Sequence, residues 1–168
     1  MDVYLAASIA GGREQQEIVQ GLQRFLLDQG HTVLNWFIGV SDDWRDAFRQ
    51  NAGLSQEEWD AFTPEERRQT GLNLEMQWIE RAVCLIAEVS VPGSYGVGAE
   101  IHHAFLKPRL GLPVTPVLCL YLQERGEPTS TWIRGRKLDS AVWLRPYVSL
   151  ADAQRIVEEF FKAFCLER

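Results

Sequence analysis

At 168 residues, 46% hydrophobic and 24% charged, the chain is long enough to bury a sizeable core and too apolar to stay disordered. Its net charge of −6 argues against a broad surface for a nucleic-acid polymer or an acidic membrane, because a phosphate backbone demands clustered Lys and Arg. Room is left for one small phosphate, held by backbone amides and a few hydroxyls.

The first residues, MDVYLAAS, carry no basic leader and enter a short apolar run, Val3 to Ala7, that reads as a strand. The turn Ser8-Ile9-Ala10-Gly11-Gly12 follows, then a helical stretch in which Ile18, Leu22, Phe25 and Leu26 recur at helical spacing, with Gly30 placed to close it. His31 to Leu34 reads as the second strand. Residues 36–71 differ in character, being rich in Trp, Asp, Glu, Arg and Gln, with helix caps expected at Ser41, Ser55 and Thr63-Pro64. Short surface helices forming a lid-like insertion are one reading of that region, and a plain surface elaboration is the other. Beyond it, Leu72, Met76 and Ile79 give a helix its apolar face, with Glu75 one step off that face. Val83 to Val89 is a buried central strand by its length and β-branched content. A turn-rich loop, Pro92 to Gly98, leads to a helix from Ala99 to Leu106. Val114 to Tyr121 and Ala141 to Leu144 supply the last strands, and residues 149–165 form a closing amphipathic helix with Ser149 as its N-cap.

Strands separated by helices imply a doubly wound, flavodoxin- or Rossmann-like α/β fold, with a mostly parallel five-stranded sheet and helices on both faces. One domain spanning 1–168 is expected, and ligands in such folds bind beyond the carboxyl ends of the strands. The loops after Ala7, Leu34 and Val89 are therefore the places to look. Cys84, Cys119 and Cys165 form no CxxC and no metal-ligand spacing, so reduced, structural thiols are expected, and neither metal nor cofactor. No apolar run reaches the ~20 residues of a spanning helix, and the expected compartment is the cytoplasm.

The segment Ser94-Tyr95-Gly96-Val97-Gly98-Ala99-Glu100 carries the most chemistry. Gly96 and Gly98 let backbone approach a ligand closely, and the loop opens a helix. A carboxylate in the first helical turn sits in the positive field of that terminus, which would keep Glu100 ionised. An anionic carboxylate at a strand end suits attack on the anomeric carbon of a sugar. Such a glutamate is also, more commonly, just a residue favoured by the helix dipole. Ser8 and the amides of Ile9 to Gly12 are placed to cradle a phosphate, although Gly-Gly turns are frequent. Tyr4 is either a half-buried core tyrosine or a hydroxyl within reach of a catalytic carboxylate. For Glu75 the default is a solvated helix carboxylate.

Three collinear stretches, Tyr4 to Glu14, Ala87 to Glu100, and Ser130-Thr131-Trp132-Ile133-Arg134-Gly135, resemble the nucleoside 2-deoxyribosyltransferase superfamily, and within it the 2′-deoxynucleoside 5′-monophosphate N-hydrolase branch. The likeness covers most of the chain, with residues 37–71 outside it. It implies that Glu100 is a nucleophile forming a covalent glycosyl intermediate and that Tyr4 sits beside it. Ser8, the Ile9, Ala10, Gly11 and Gly12 amides and Ser94 match the family's phosphate cradle. Ser130 matches a serine lent by the neighbouring subunit of a homodimer. Glu75 falls where the family has an aspartate assisting leaving-group departure, and Trp36 where a residue packs against the nucleobase. Departures are Glu75 itself, one methylene longer than aspartate, Ala10 where an arginine is frequent, and His102 where a glycine is typical. His103 reads as a surface imidazole.

The resulting expectation is an N-glycosidase. Glu100 displaces the base of a (2′-deoxy)nucleoside 5′-monophosphate, and water then releases the sugar phosphate. Base exchange on unphosphorylated nucleosides is the alternative, as is a dinucleotide substrate or a nucleotide-binding sensor without turnover.

Overall fold

A computed structural model describes residues 1–8, 15–39, 44–90, 95–128, 131–135 and 139–166, with Thr131 and Trp132 described by their backbone alone. The apolar runs become strands β1 (Asp2–Ala6), β2 (Thr32–Val33), β3 (Cys84–Glu88), β4 (Val117–Leu122) and β5 (Val142–Tyr147). They form one sheet in the order β2-β1-β3-β4-β5, and every neighbouring pair is parallel. This is the doubly wound arrangement expected. The winding reverses between β1 and β3, the place at the carboxyl edge where ligands bind in such folds.

The helices are α1 (Gln16–Asp28), α2 (Trp44–Asn51), α3 (Gln56–Ala61), α4 (Pro64–Arg81), α5 (Tyr95–Leu106), α6 (Thr131–Gly135) and α7 (Leu150–Ala163). Alternation along the strands sorts the core into two layers. Val3, Leu5, Cys84 and Ile86 pack with Leu22 and Leu26 of α1 and Val157 and Phe160 of α7. Tyr4, Ala6, Leu85 and Ala87 pack on the opposite face with Ile79 of α4 and Val97 and Ile101 of α5. Among the described residues, no helix is long and apolar enough to cross a membrane.

Several local signals held. Gly30 adopts φ 74° just beyond α1, where a side chain would be strained. Ser55 and Thr63 each complete a capping box with a glutamate three residues on, and Ser149 caps α7. Ser41 lies outside the described residues.

Other boundaries moved, each for a physical reason. The second strand keeps two residues because Asn35 takes over its ladder, donating from Nδ2 to the Leu5 carbonyl at 2.8 Å and accepting from the Leu5 amide at 3.0 Å. The fourth begins at Val117 because Pro116 has no N–H to donate, and Val114 is exposed. The fifth runs on to Tyr147, where the sheet edge tolerates Pro146. Helix α5 starts at Tyr95, four residues before Ala99.

The 36–71 region is also more embedded than a surface reading suggests. It comprises a 3-10 turn (Trp36–Gly39), α2, α3 and the first turns of α4. Phe48 of α2 is buried, with its ring 5.1 Å from Phe37, 5.9 Å from Trp59 and 5.9 Å from Trp78. An aromatic cluster thus fastens the region to α4, as edge-to-face geometry favours.

Candidate active site

Helices α4 and α5 lie side by side over β1 and β3, and their inward faces follow from spacing. On α5, Val97, Ile101 and Ala104 are buried, and Glu100 shares that face, three residues after Val97. On α4, Trp78 and Ile79 are buried, and Glu75 lies three and four residues before them. Periodicity therefore points both carboxyl groups at the sheet, toward the Tyr4 side chain of β1. Of the residues expected on the apolar face of α4, Met76 and Ile79 pack inward but Leu72 is exposed, and Leu74, Glu75 and Trp78 complete the inward side, so Glu75 is not off it.

The centre is one short contact. The Tyr4 hydroxyl donates to Glu100 Oε1 at 2.7 Å. Tyr4 is 1% exposed, and Glu100 Oε2 is buried with no hydrogen-bond partner among the described residues. Burial pushes the Glu100 carboxyl up to about 8; the Tyr4 hydrogen bond works against that rise, and the Glu75 charge adds to it. Burial also raises Glu75 above the ordinary carboxyl range. Tyr4 is held well above its ordinary value, first by burial and then by the charges of Glu100 and Glu75.

This corrects one expectation. Glu100 stands in the second turn of α5, not the first, because the helix begins at Tyr95. The helix dipole fades beyond the first turn, so desolvation dominates and shifts this carboxyl toward its neutral form. A buried oxygen without a partner among the described residues, on a raised carboxyl, marks a candidate functional group.

The remaining candidates divide into placed and undescribed. Ser8 follows β1 at the carboxyl edge and is half-buried. Gly96 and Gly98 open α5, and a Cβ on either would meet no described atom within 4 Å, so packing does not require glycine there. Trp36 packs against the apolar cluster that contains Tyr4, and its carbonyl accepts from Gln23 Nε2 at 3.0 Å. Ile9, Ala10, Gly11, Gly12, Ser94 and Ser130 lie outside the described residues. His103 is not a free surface imidazole, since its Nε2 lies 3.2 Å from Glu80 Oε1 of α4. Cys84 and Cys119 are buried, with thiols pushed up to about 12 by burial, which suits structural rather than reactive cysteines. Among the described residues, no group of three or more His, Cys, Asp or Glu side chains is arranged to hold a metal ion.

Sequence reasoning passed over a second buried carboxyl, Glu88, which closes β3 on the face opposite Glu100. A charged residue inside the apolar run VCLIAEV was the available signal, because a buried charge needs partners.

No protein-family model matches the chain. Among curated proteins, it is 36% identical over 135 residues to 2′-deoxynucleoside 5′-phosphate N-hydrolase 1 of Thermofilum pendens, covering 80% of this chain and 78% of that one. The protein of the same name from Methanococcoides burtonii is 30% identical over 74% of this chain and 83% of its own. The 5-hydroxymethyl-dUMP N-hydrolase of Rattus norvegicus is 26% identical over 96% of this chain and 85% of its own. Among solved structures, a CMP N-glycosidase of Clostridium botulinum matches with a TM-score of 0.57 and 18% identity, over 94% of this chain and 98% of that one, a likeness of fold.

Proposed function

Because the chain belongs to the 2′-deoxynucleoside 5′-phosphate N-hydrolase family, in the nucleoside 2-deoxyribosyltransferase superfamily, we propose that it hydrolyses the N-glycosidic bond of a (2′-deoxy)nucleoside 5′-monophosphate. The products are free base and sugar phosphate. One observation carries the reading: a tyrosine and two carboxyl groups converge in a buried place between β1, α4 and α5, with one carboxyl oxygen unpartnered among the described residues.

In the reaction we infer, ionised Glu100 attacks C1′ as the C1′–N bond breaks, and the bonding pair leaves with the base. Glu75, whose burial favours the protonated form, gives the base its proton. Water then attacks C1′ of the glycosyl ester, returns a proton to the Glu75 carboxylate and frees Glu100. Tyr4 orients Glu100 and stabilises its charge while it is ionised. Ser8, the 9–12 amides, Ser94, and the backbone at Gly96 and Gly98 would hold the phosphate, and Trp36 would face the base. A homodimer in which Ser130 reaches the neighbouring site, and a cytoplasmic setting for the free thiols, complete the proposal.

The test is a panel of deoxyribo- and ribonucleoside monophosphates, with released base followed by chromatography. Release by the wild-type protein and its loss in Glu100→Gln, with nucleotide binding retained, is the expected result. Equal release by that variant would end the proposal. Adding a second free base separates hydrolysis from exchange, because only a transferase would make a new nucleoside.

A further inference from the structure

Glu88 ends β3 two residues before the segment 91–94, and it is 3% exposed. Three donors converge on its carboxyl group. The Ser90 amide lies 3.2 Å from Oε1 and 3.3 Å from Oε2, the Ser90 hydroxyl donates to Oε1, and the Tyr147 hydroxyl lies 3.0 Å from Oε1. Ser90 Oγ in turn accepts from the Leu122 amide at 2.7 Å, so its own proton is committed to Glu88. Tyr147, fully buried at the end of β5, also lies 3.2 Å from Gln15 Oε1, immediately before α1.

One carboxyl group therefore links the ends of β3, β4 and β5 to the entrance of α1. Gln15 borders the segment 9–14, and Ser90 borders the segment 91–94. These are the two stretches that would hold the phosphate. Tyr147 has one proton, which lies within reach of both the Glu88 and the Gln15 oxygens. An isolated buried carboxyl would only destabilise the strand end, so this degree of satisfaction is expected of a group kept for a task.

We propose that Glu88 is a positioning residue which, through Ser90, Tyr147 and Gln15, fixes the ends of β3, β4 and β5 against the entrance of α1, the edge at which the phosphate would be held. It touches neither the sugar nor the base. The inference rests on the phosphate reading given above and adds a residue outside the Tyr4–Glu75–Glu100 cluster. A purely structural Glu88 would affect stability and all ligands alike. A positioning Glu88 affects phosphate-bearing ligands selectively.

Two variants keep the test independent of folding. Glu88→Gln places an amide N–H among converging donors, and Tyr147→Phe removes one link while keeping the ring in the core. The readouts are KM and kcat for the best nucleotide, and inhibition by 2-deoxyribose 5-phosphate, by 2-deoxyribose and by the free base. In both variants KM and the sugar-phosphate inhibition constant should weaken by about tenfold, the scale of one misplaced charge-assisted hydrogen bond. Inhibition by 2-deoxyribose and by free base should stay within about twofold, on the same reasoning. Unchanged constants, or equal weakening for phosphate-bearing and phosphate-free ligands, would overturn the proposal. If the wild-type protein bound 2-deoxyribose 5-phosphate no better than 2-deoxyribose, the phosphate reading would fall first and this inference with it.

Discussion

Glu100 is held by opposed forces, and its chemistry follows from their balance. Burial and the Glu75 charge favour the neutral acid, and the Tyr4 hydroxyl favours the anion. A nucleophile must be ionised and the Glu75 donor protonated, so kcat/KM should be bell-shaped in pH, with its alkaline limb near 8. Glu75→Gln removes the donor, and the alkaline limb should be lost while kcat falls. An alkaline limb that survives in that variant would show that the two carboxyls do not titrate as a pair. Tyr4→Phe withdraws the hydrogen bond that favours the anion and should lower the maximum by about 10- to 100-fold, the worth of one hydrogen bond to a charged group. For Glu100→Gln, single-turnover base release should fall by about three orders of magnitude or more, as expected when a covalent nucleophile is lost.

At the scale of elements, α4 and α5 matter most, because each carries one carboxyl of the pair. A buried lysine joins their far ends. Lys107, just after α5, donates from Nζ to the Ile79 carbonyl at 3.2 Å and to the Ala82 carbonyl at 2.9 Å, satisfying the end of α4. Lys107→Met keeps the volume and removes both bonds. It should cost about 1–3 kcal/mol, the worth of hydrogen bonds from a charged donor to acceptors that each keep one other bond, from Thr115 Oγ1 at 3.3 Å and the Ala82 amide at 3.2 Å, measurable as a lower urea midpoint at unchanged m. The aromatic fastening of α2 and α3 to Trp78 stabilises the same end of that helix. Neither device changes the chemistry; both hold Glu75 where Glu100 feels it.

Across the whole molecule, carboxyl groups fall into two populations with opposite pH behaviour. Asp46, Glu58, Glu66 and Asp152 are lowered by hydrogen bonds to Arg49, Ser55, Thr63 and Arg155 respectively, so their contribution is present above their ordinary values and lost as pH falls. Glu75, Glu88 and Glu100 are raised by burial, so theirs is present below the ordinary value and lost as pH rises, for Glu100 through about 8. The melting temperature should therefore peak in the ordinary carboxyl range, at about pH 4–5, and fall toward pH 9, and Glu100→Gln should flatten the alkaline fall. A Tm still rising between pH 7 and 9 would contradict the burial of these groups.

The sequence by itself determined the alternation of strand and helix, the capping boxes at Ser55 and Thr63, the αL turn at Gly30 and the pairing of Tyr4 with Glu100, because each depends on spacing, turn chemistry or a family motif written along the chain. Only the tertiary structure decided the direction of Glu75, the upward shift of the Glu100 carboxyl and the tie from Glu88 to Tyr147 and Gln15. Those depend on desolvation and on contacts between residues as much as 132 positions apart, which no local window contains.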